Sequence, residues 1–153
     1  MLQWDTTSTY QATATATTLG ISSLVAQRGS GIGVTYLLDT SSQIDGFGPD
    51  DALKVDLGGA FDIYDFTFAS VQANDTIVIS IDSNGVYSGN PYPSNGVSIT
   101  STVGQNIEFT VAGWNDDYYL SSISANVPDS GTSVTLLGLG LLGLVGFRRR
   151  FSK

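Results

Sequence analysis

The chain has no cysteine and no histidine. Without cysteine it can form neither a disulfide nor a thiolate nucleophile. Without histidine it lacks the usual general base near neutral pH and the commonest metal ligand. Basic side chains are scarce as well, six against fourteen acids, and they are unevenly spread. All fourteen acids precede residue 130, where only Arg28 and Lys54 oppose them, a net charge of −12. Such a region repels nucleic acid and anionic polysaccharide and suits cations such as calcium. Glu108 is the only glutamate, and it lies out of phase with Ile107, Phe109 and Val111, as a solvent-facing strand residue would. Serine nucleophiles have no histidine to activate them. These absences predict a protein that is not an enzyme.

Helical periodicity is also missing before residue 130, whereas period-two alternation is common. Ala12, Ala14 and Ala16 alternate with threonines, predicting a strand whose shallow apolar face suits a sheet edge. Residues 21–27 form a second candidate. Ile32, Val34, Tyr36 and Leu38 alternate as the inner face of a third. Residues 39–51 hold four aspartates, two glycines and Pro49, and read as a loop. Residues 53–57 alternate cleanly until Gly58-Gly59, which is expected to break the strand. Phe61 and Ile63, then Phe66 and Phe68, change parity, predicting a bulge near Tyr64-Asp65. Ile77, Ile79 and Ile81 point inward, and Asn84-Gly85 predicts the following hairpin turn. Val97 with Ile99, then residues 107–111, give two further strands. Residues 113–117 form a polar turn, and residues 118–127 the last strand. About eight to ten short strands with regular turn signals predict an all-β domain over residues 1–126, an antiparallel β-sandwich of jelly-roll type.

Residues 127–153 differ in kind. Val127, Pro128, Asp129, Ser130 and Gly131 spell a short motif, followed by fourteen uncharged residues, 134–147, and then by Arg148, Arg149 and Arg150. As a helix the uncharged run spans roughly 21 Å at ~1.5 Å per residue. Thr132, Ser133 and the snorkelling arginine stems extend that reach toward the ~30 Å hydrocarbon core. Four glycines and no polar face suit a membrane helix, over about residues 132–147, better than a soluble one. The arginines orient it, keeping residues 148–153 cytoplasmic and the β-domain outside.

The three-part order of this tail resembles the PEP-CTERM class of sorting signals, in the variant whose motif reads VPDSG. The resemblance covers residues 127–153. It implies a bacterial exported protein, held transiently in the inner membrane and cut near residues 127–131 by an exosortase-type enzyme. The motif residues are then recognition elements. It also implies an N-terminal leader. Residues 1–5 have neither a basic nor an apolar region, so a leader beyond the given chain is expected. Residues 31–34, 43–57 and 115–125 are diffusely similar to exported β-sandwich domains upstream of such tails, a resemblance that implies no activity.

Two binding chemistries remain open for the β-domain. Calcium takes six to eight oxygen ligands, and Asp45, Asp50 and Asp51 with Asp116 and Asp117 offer carboxylates in two turns. Aromatic rings stack on sugar faces, and among Tyr87, Tyr92, Trp114, Tyr118 and Tyr119 the carbohydrate candidates are Tyr92, Trp114 and Tyr118. The expected role is adhesion or matrix structure at the cell surface, with a calcium-dependent carbohydrate-binding module as the alternative.

Overall fold

The computed structural model describes residues 12–18, 20–35, 41–46 and 50–127. Among these residues every regular element is a strand: β1 Thr13–Thr18, β2 Ile21–Arg28, β3 Gly31–Thr35, β4 Ile44–Asp45, β5 Asp51–Ala69, β6 Ile77–Ile81, β7 Asn84–Gly89, β8 Gly96–Val111 and β9 Asp117–Asn126. All their pairings are antiparallel. The strand order is β4-β9-β3-β2-β1-β5-β8-β6-β7, and a further β9–β5 pairing closes β9, β3, β2, β1 and β5 into a ring.

The organising element is the ribbon of β5 and β8, 19 and 16 residues long. Gly58-Gly59 does not end β5, contrary to expectation. The strand continues through a register shift between Asp56 and Phe61, where four residues of β5 oppose Gln105 alone on β8. Gly58 takes φ +73° there, a conformation that suits glycine. The ribbon bends at this point and doubles back. The first half of β5 pairs with β1, the second half with β9. Phe109 pairs along the ribbon with Leu53. Its ring nevertheless meets Phe66 and Phe68 of the second half edge-on, at centroid distances of 5.6 and 6.2 Å. Two layers thus face each other across one core. Leu53, Ile63, Phe66, Ile77, Ile79 and Phe109 are completely buried in it.

The parity change in β5 is a bulge, as predicted, with the register shifting between Ile63 and Asp65. Strand β1 is not an edge strand: it lies between β2 and β5, and the buried Ala16 leaves room for that close packing. The segments around Val97 and Ile107 are one strand, Gly96–Val111, which stays paired with β5 on both sides of the bend. Tyr36, Leu38 and Asp39 lie outside the described residues, as do residues 128–153 with the predicted helix, the motif residues Pro128 to Gly131, and Arg148 to Arg150.

The β6–β7 turn sits two residues earlier than Asn84-Gly85 predicts. Ile81 pairs with Asn84, so Asp82 and Ser83 form the two-residue turn, with φ +46° and +67°. Positive φ at both central positions is the pattern of a type I′ turn. Asp82 is chosen over Asn84 by its tertiary partners. Its N–H donates to Asn106 O at 2.8 Å, and Oδ1 accepts the Asn106 N–H at 2.9 Å. That bond, with the Asn106 amide and the Gln105 N–H, holds the Asp82 carboxyl below its ordinary range. A depressed carboxyl stabilises the fold at neutral pH, and its contribution is lost as pH falls below about 4. Asp82→Asn should therefore lower stability by less than about 1 kcal/mol at neutral pH, the site being exposed. It should also flatten the acid limb of stability against pH. Urea midpoints on the full-length chain across that range check this; an unchanged acid limb would remove Asp82 from the account.

Candidate functional site

One end of the two-layer body collects the loops that carry the predicted acids and aromatics. Two turns there have the same construction. In residues 72–75 the Gln72 N–H donates to Asp75 Oδ2 at 2.6 Å, and the Asp75 N–H returns to Gln72 O at 3.2 Å. In residues 113–116 the Gly113 N–H donates to Asp116 Oδ2 at 2.7 Å, and the Asp116 N–H returns to Gly113 O at 3.3 Å. Each carboxylate closes its own turn by accepting a backbone N–H three residues back, the local bonding to which aspartate is suited. The turns are tied together: Asn74 Nδ2 donates to Asn115 O at 3.1 Å. On the other side Asn90 Nδ2 donates to Gln72 O at 2.9 Å, joining the loop at residues 90–95.

The predicted calcium set divides. Asp45 is buried in β4 and pairs in register with Asp117 of β9. Gly46 N–H donates to Asp116 O at 3.1 Å, bringing Asp45, Asp116 and Asp117 into one neighbourhood. Asp117 Oδ1 accepts Gln43 Nε2 at 2.6 Å. Asp51 sits on the β1 side of the end, where its Oδ1 accepts the Thr18 hydroxyl at 2.6 Å, and Asp50 beside it is exposed. Among the described residues no three acidic side chains gather closely enough to hold a metal ion between them.

A residue outside the predicted set proves the most unusual. Asp75 is completely buried, and its Oδ1 makes no aligned hydrogen bond. Burial raises its carboxyl above the ordinary range; the N–H groups of Gln72 and Asp117 oppose the shift, and the charges of Asp117 and Asp116 add to it. The sequence carries a signal for this site, the repeated Asn-Asp pair at Asn74-Asp75 and Asn115-Asp116.

Of the predicted carbohydrate residues, two face outward. Trp114 is 73% exposed at the tip of its turn and Tyr92 is 53% exposed in the loop at residues 90–95. The frame of Asn74, Gln72 and Asn90 spans the gap between their loops. Tyr118 is a correction. Its ring is completely buried against Phe68, with centroids 5.4 Å apart, and its hydroxyl donates to Thr110 O at 2.9 Å. A ring enclosed in this way presents no face to a sugar. Burial also pushes its phenol well above the usual range.

Residues 126–151 match the VPDSG-CTERM motif. The tail is thus a PEP-CTERM-like exosortase sorting signal in its VPDSG variant. Such a signal indicates an exported protein that is anchored transiently in a membrane and processed by an exosortase-type enzyme. Asn126, the first residue of the match, ends β9, and Val127 beside it is 54% exposed, so the domain hands over to the signal at its surface. Among curated proteins none matches the chain. Two solved structures are similar to it. One is the carbohydrate-binding module CpGH89CBM32-5 from Clostridium perfringens in complex with GalNAc-β-1,3-galactose. It is 15% identical, with a TM-score of 0.46, covering 76% of this chain and 95% of that one. The other is CBM32-3 from a family 31 glycoside hydrolase of Clostridium perfringens. It is 14% identical, with a TM-score of 0.33, covering 50% of this chain and 66% of that one. Scores below 0.5 do not establish a common fold.

Proposed function

We propose that this chain is an exported, non-catalytic surface or matrix protein, cut near residues 127–131 and adhering through the loop end of its β-domain. Its closed two-layer sheet is read as a sandwich of jelly-roll type. One observation carries the adhesion reading: Trp114 and Tyr92 stand exposed on a frame of side chain-to-backbone hydrogen bonds that holds their loops together. Large exposed aromatics on a braced frame lose little conformational entropy on binding, so they make efficient contacts.

Two measurements test this. Mature protein from the producing cell should end near residues 127–131 by intact mass; a product that retains Arg148 to Arg150 would refute the cleavage. Replacing Trp114 and Tyr92 together by alanine should weaken retention on the native matrix about tenfold, with the unfolding midpoint unchanged. Retention equal to that of the unaltered protein would remove the loop end from the mechanism.

A second reading, a calcium-dependent carbohydrate-binding module, is favoured by Asp75, whose buried Oδ1 lacks an aligned donor beside Asp116 and Asp117. A cation there would offset the burial of charge. Thermal unfolding of the full-length chain with calcium, then with chelator, decides it. A calcium-dependent rise that Asp75→Asn abolishes supports the ion. Identical midpoints would leave Asp75 and Asp116 as clamps of their turns.

A further inference from the structure

Away from the loop end, a groove of about 680 Å³ lies over the outward face of β1, β5 and β8, in the size range of small-ligand sites. The strand registers order its floor. Thr15 opposes Lys54, which opposes Glu108; Thr13 opposes Asp56, which opposes Asn106. The Asp82-Ser83 turn makes one wall.

Three properties restrict what fits. Among the described residues no aromatic ring lines the groove, so affinity there rests on hydrogen bonds, of which charge-assisted ones are the strongest. Among the described residues three carboxylates, Asp56, Asp82 and Glu108, stand against one ammonium, Lys54, which is 3.3 Å from Glu108. That balance rejects anions and favours ligands bearing amines. The carboxylates do not converge as a metal-holding group; they are spaced along the groove, and hydroxyls and an amide lie among them. A single cation would not span them. A chain with repeated ammonium groups separated by hydroxyls would.

The acids are also held in place. Asp56 Oδ1 accepts the Gly58 N–H at 2.8 Å and Gln105 Nε2 at 2.9 Å, while Asp82 is fixed by Asn106 and Gln105. Bonds that fix an acceptor before the ligand arrives reduce the entropy lost on binding.

We propose that this groove is a glycan-binding site distinct from the loop end, and that it takes a chain of hexosamine units carrying free amines. The site does not depend on Trp114 or Tyr92. The test is calorimetric titration of the full-length chain in mild detergent at about pH 5.5. There Asp56 and Asp82, held below the ordinary carboxylate range, stay ionised. The probes are a glucosamine oligosaccharide, its fully N-acetylated counterpart and an oligolysine of equal length. The glucosamine chain should bind, the acetylated chain about tenfold more weakly or worse, and oligolysine more weakly than glucosamine. Asp56→Asn combined with Glu108→Gln should weaken glucosamine binding at least about tenfold, whereas Trp114→Ala should leave it unchanged. Absence of glucosamine binding, or binding indifferent to the Asp56 and Glu108 changes, would overturn the groove as the site. Equal binding of the acetylated chain would overturn amine recognition, and equal binding of oligolysine would overturn the glycan class.

Discussion

Truncating Phe109 to alanine should destabilise the domain by about 3–5 kcal/mol, a large part of the roughly 5–15 kcal/mol that holds a typical domain folded. Phe109 belongs to the first layer, where it pairs with Leu53 and Ile79. Its ring is completely buried and reaches the second layer through Phe66 and Phe68, at interplanar angles of 82° and 73°. Phe68 in turn meets Tyr118 at 89°. Edge-to-face contacts of this kind add to the burial of the rings themselves. Removing Phe109 deletes the central member of the cluster and opens a cavity between the layers, where each neighbour already has its own backbone pairing and cannot collapse freely. Urea unfolding of the full-length chain in mild detergent should show a much lower midpoint with little change in slope. A loss below about 1 kcal/mol would mean that the layers are not joined through this ring.

The elements that were legible from sequence share one physical cause. Ile77, Ile79 and Ile81 recur at every second position, with the half-buried Val78 and Ser80 between them, because β6 turns one face into the core, so burial writes its period into the chain. The parity change before Phe66 was readable for the same reason: a bulge moves later side chains to the other face. What was not legible depends on distant partners. Gly58-Gly59 looks like a strand end by composition, yet the ribbon with β8 carries the chain through it. The turn falls on Asp82-Ser83 because Asn106 and Gln105, more than twenty residues away, supply its bonds. The acids show the same limit. Composition marks the loop end as acidic but cannot say that Asp116 is consumed in closing a turn, or that Asp75 would be the buried one. Tyr118 and Trp114 lie four residues apart with similar local chemistry, and only the packing of Phe68 separates the core ring from the exposed one.

Gly46→Ala should cost about 2–3 kcal/mol and loosen the loop end in particular. In the sequence, Gly46 is one of two glycines in an aspartate-rich loop and follows the calcium candidate Asp45. In the fold, the glycine serves a close backbone approach: a Cβ at residue 46 would lie 2.1 Å from Gly113 O and 3.1 Å from Val111 Cγ2. The first of these neighbours is main chain in a turn that Asp116 holds from both sides, so it cannot move without breaking the Gly113 N–H to Asp116 bond. Overpacking against such a site forces a backbone shift, which costs more than a displaced side-chain tip. The Gly46 N–H to Asp116 O bond would be lost with it, and β4 would separate from β9 where Asp45 pairs with Asp117. Gly85→Ala is the matched control, since a Cβ there meets nothing within 4 Å. It should stay within about 0.5 kcal/mol of the unaltered chain or stabilise it slightly by restricting the unfolded state. Because the Gly113 turn also presents Trp114, Gly46→Ala should weaken matrix retention beyond what its lower stability explains. Hydrogen exchange should place the added opening at residues 113–117 while β6 stays protected. Equal unfolding midpoints for the two variants would refute the close approach of Gly46 to Gly113. A midpoint loss with uniform exchange would confine its effect to global stability and detach it from the loop end.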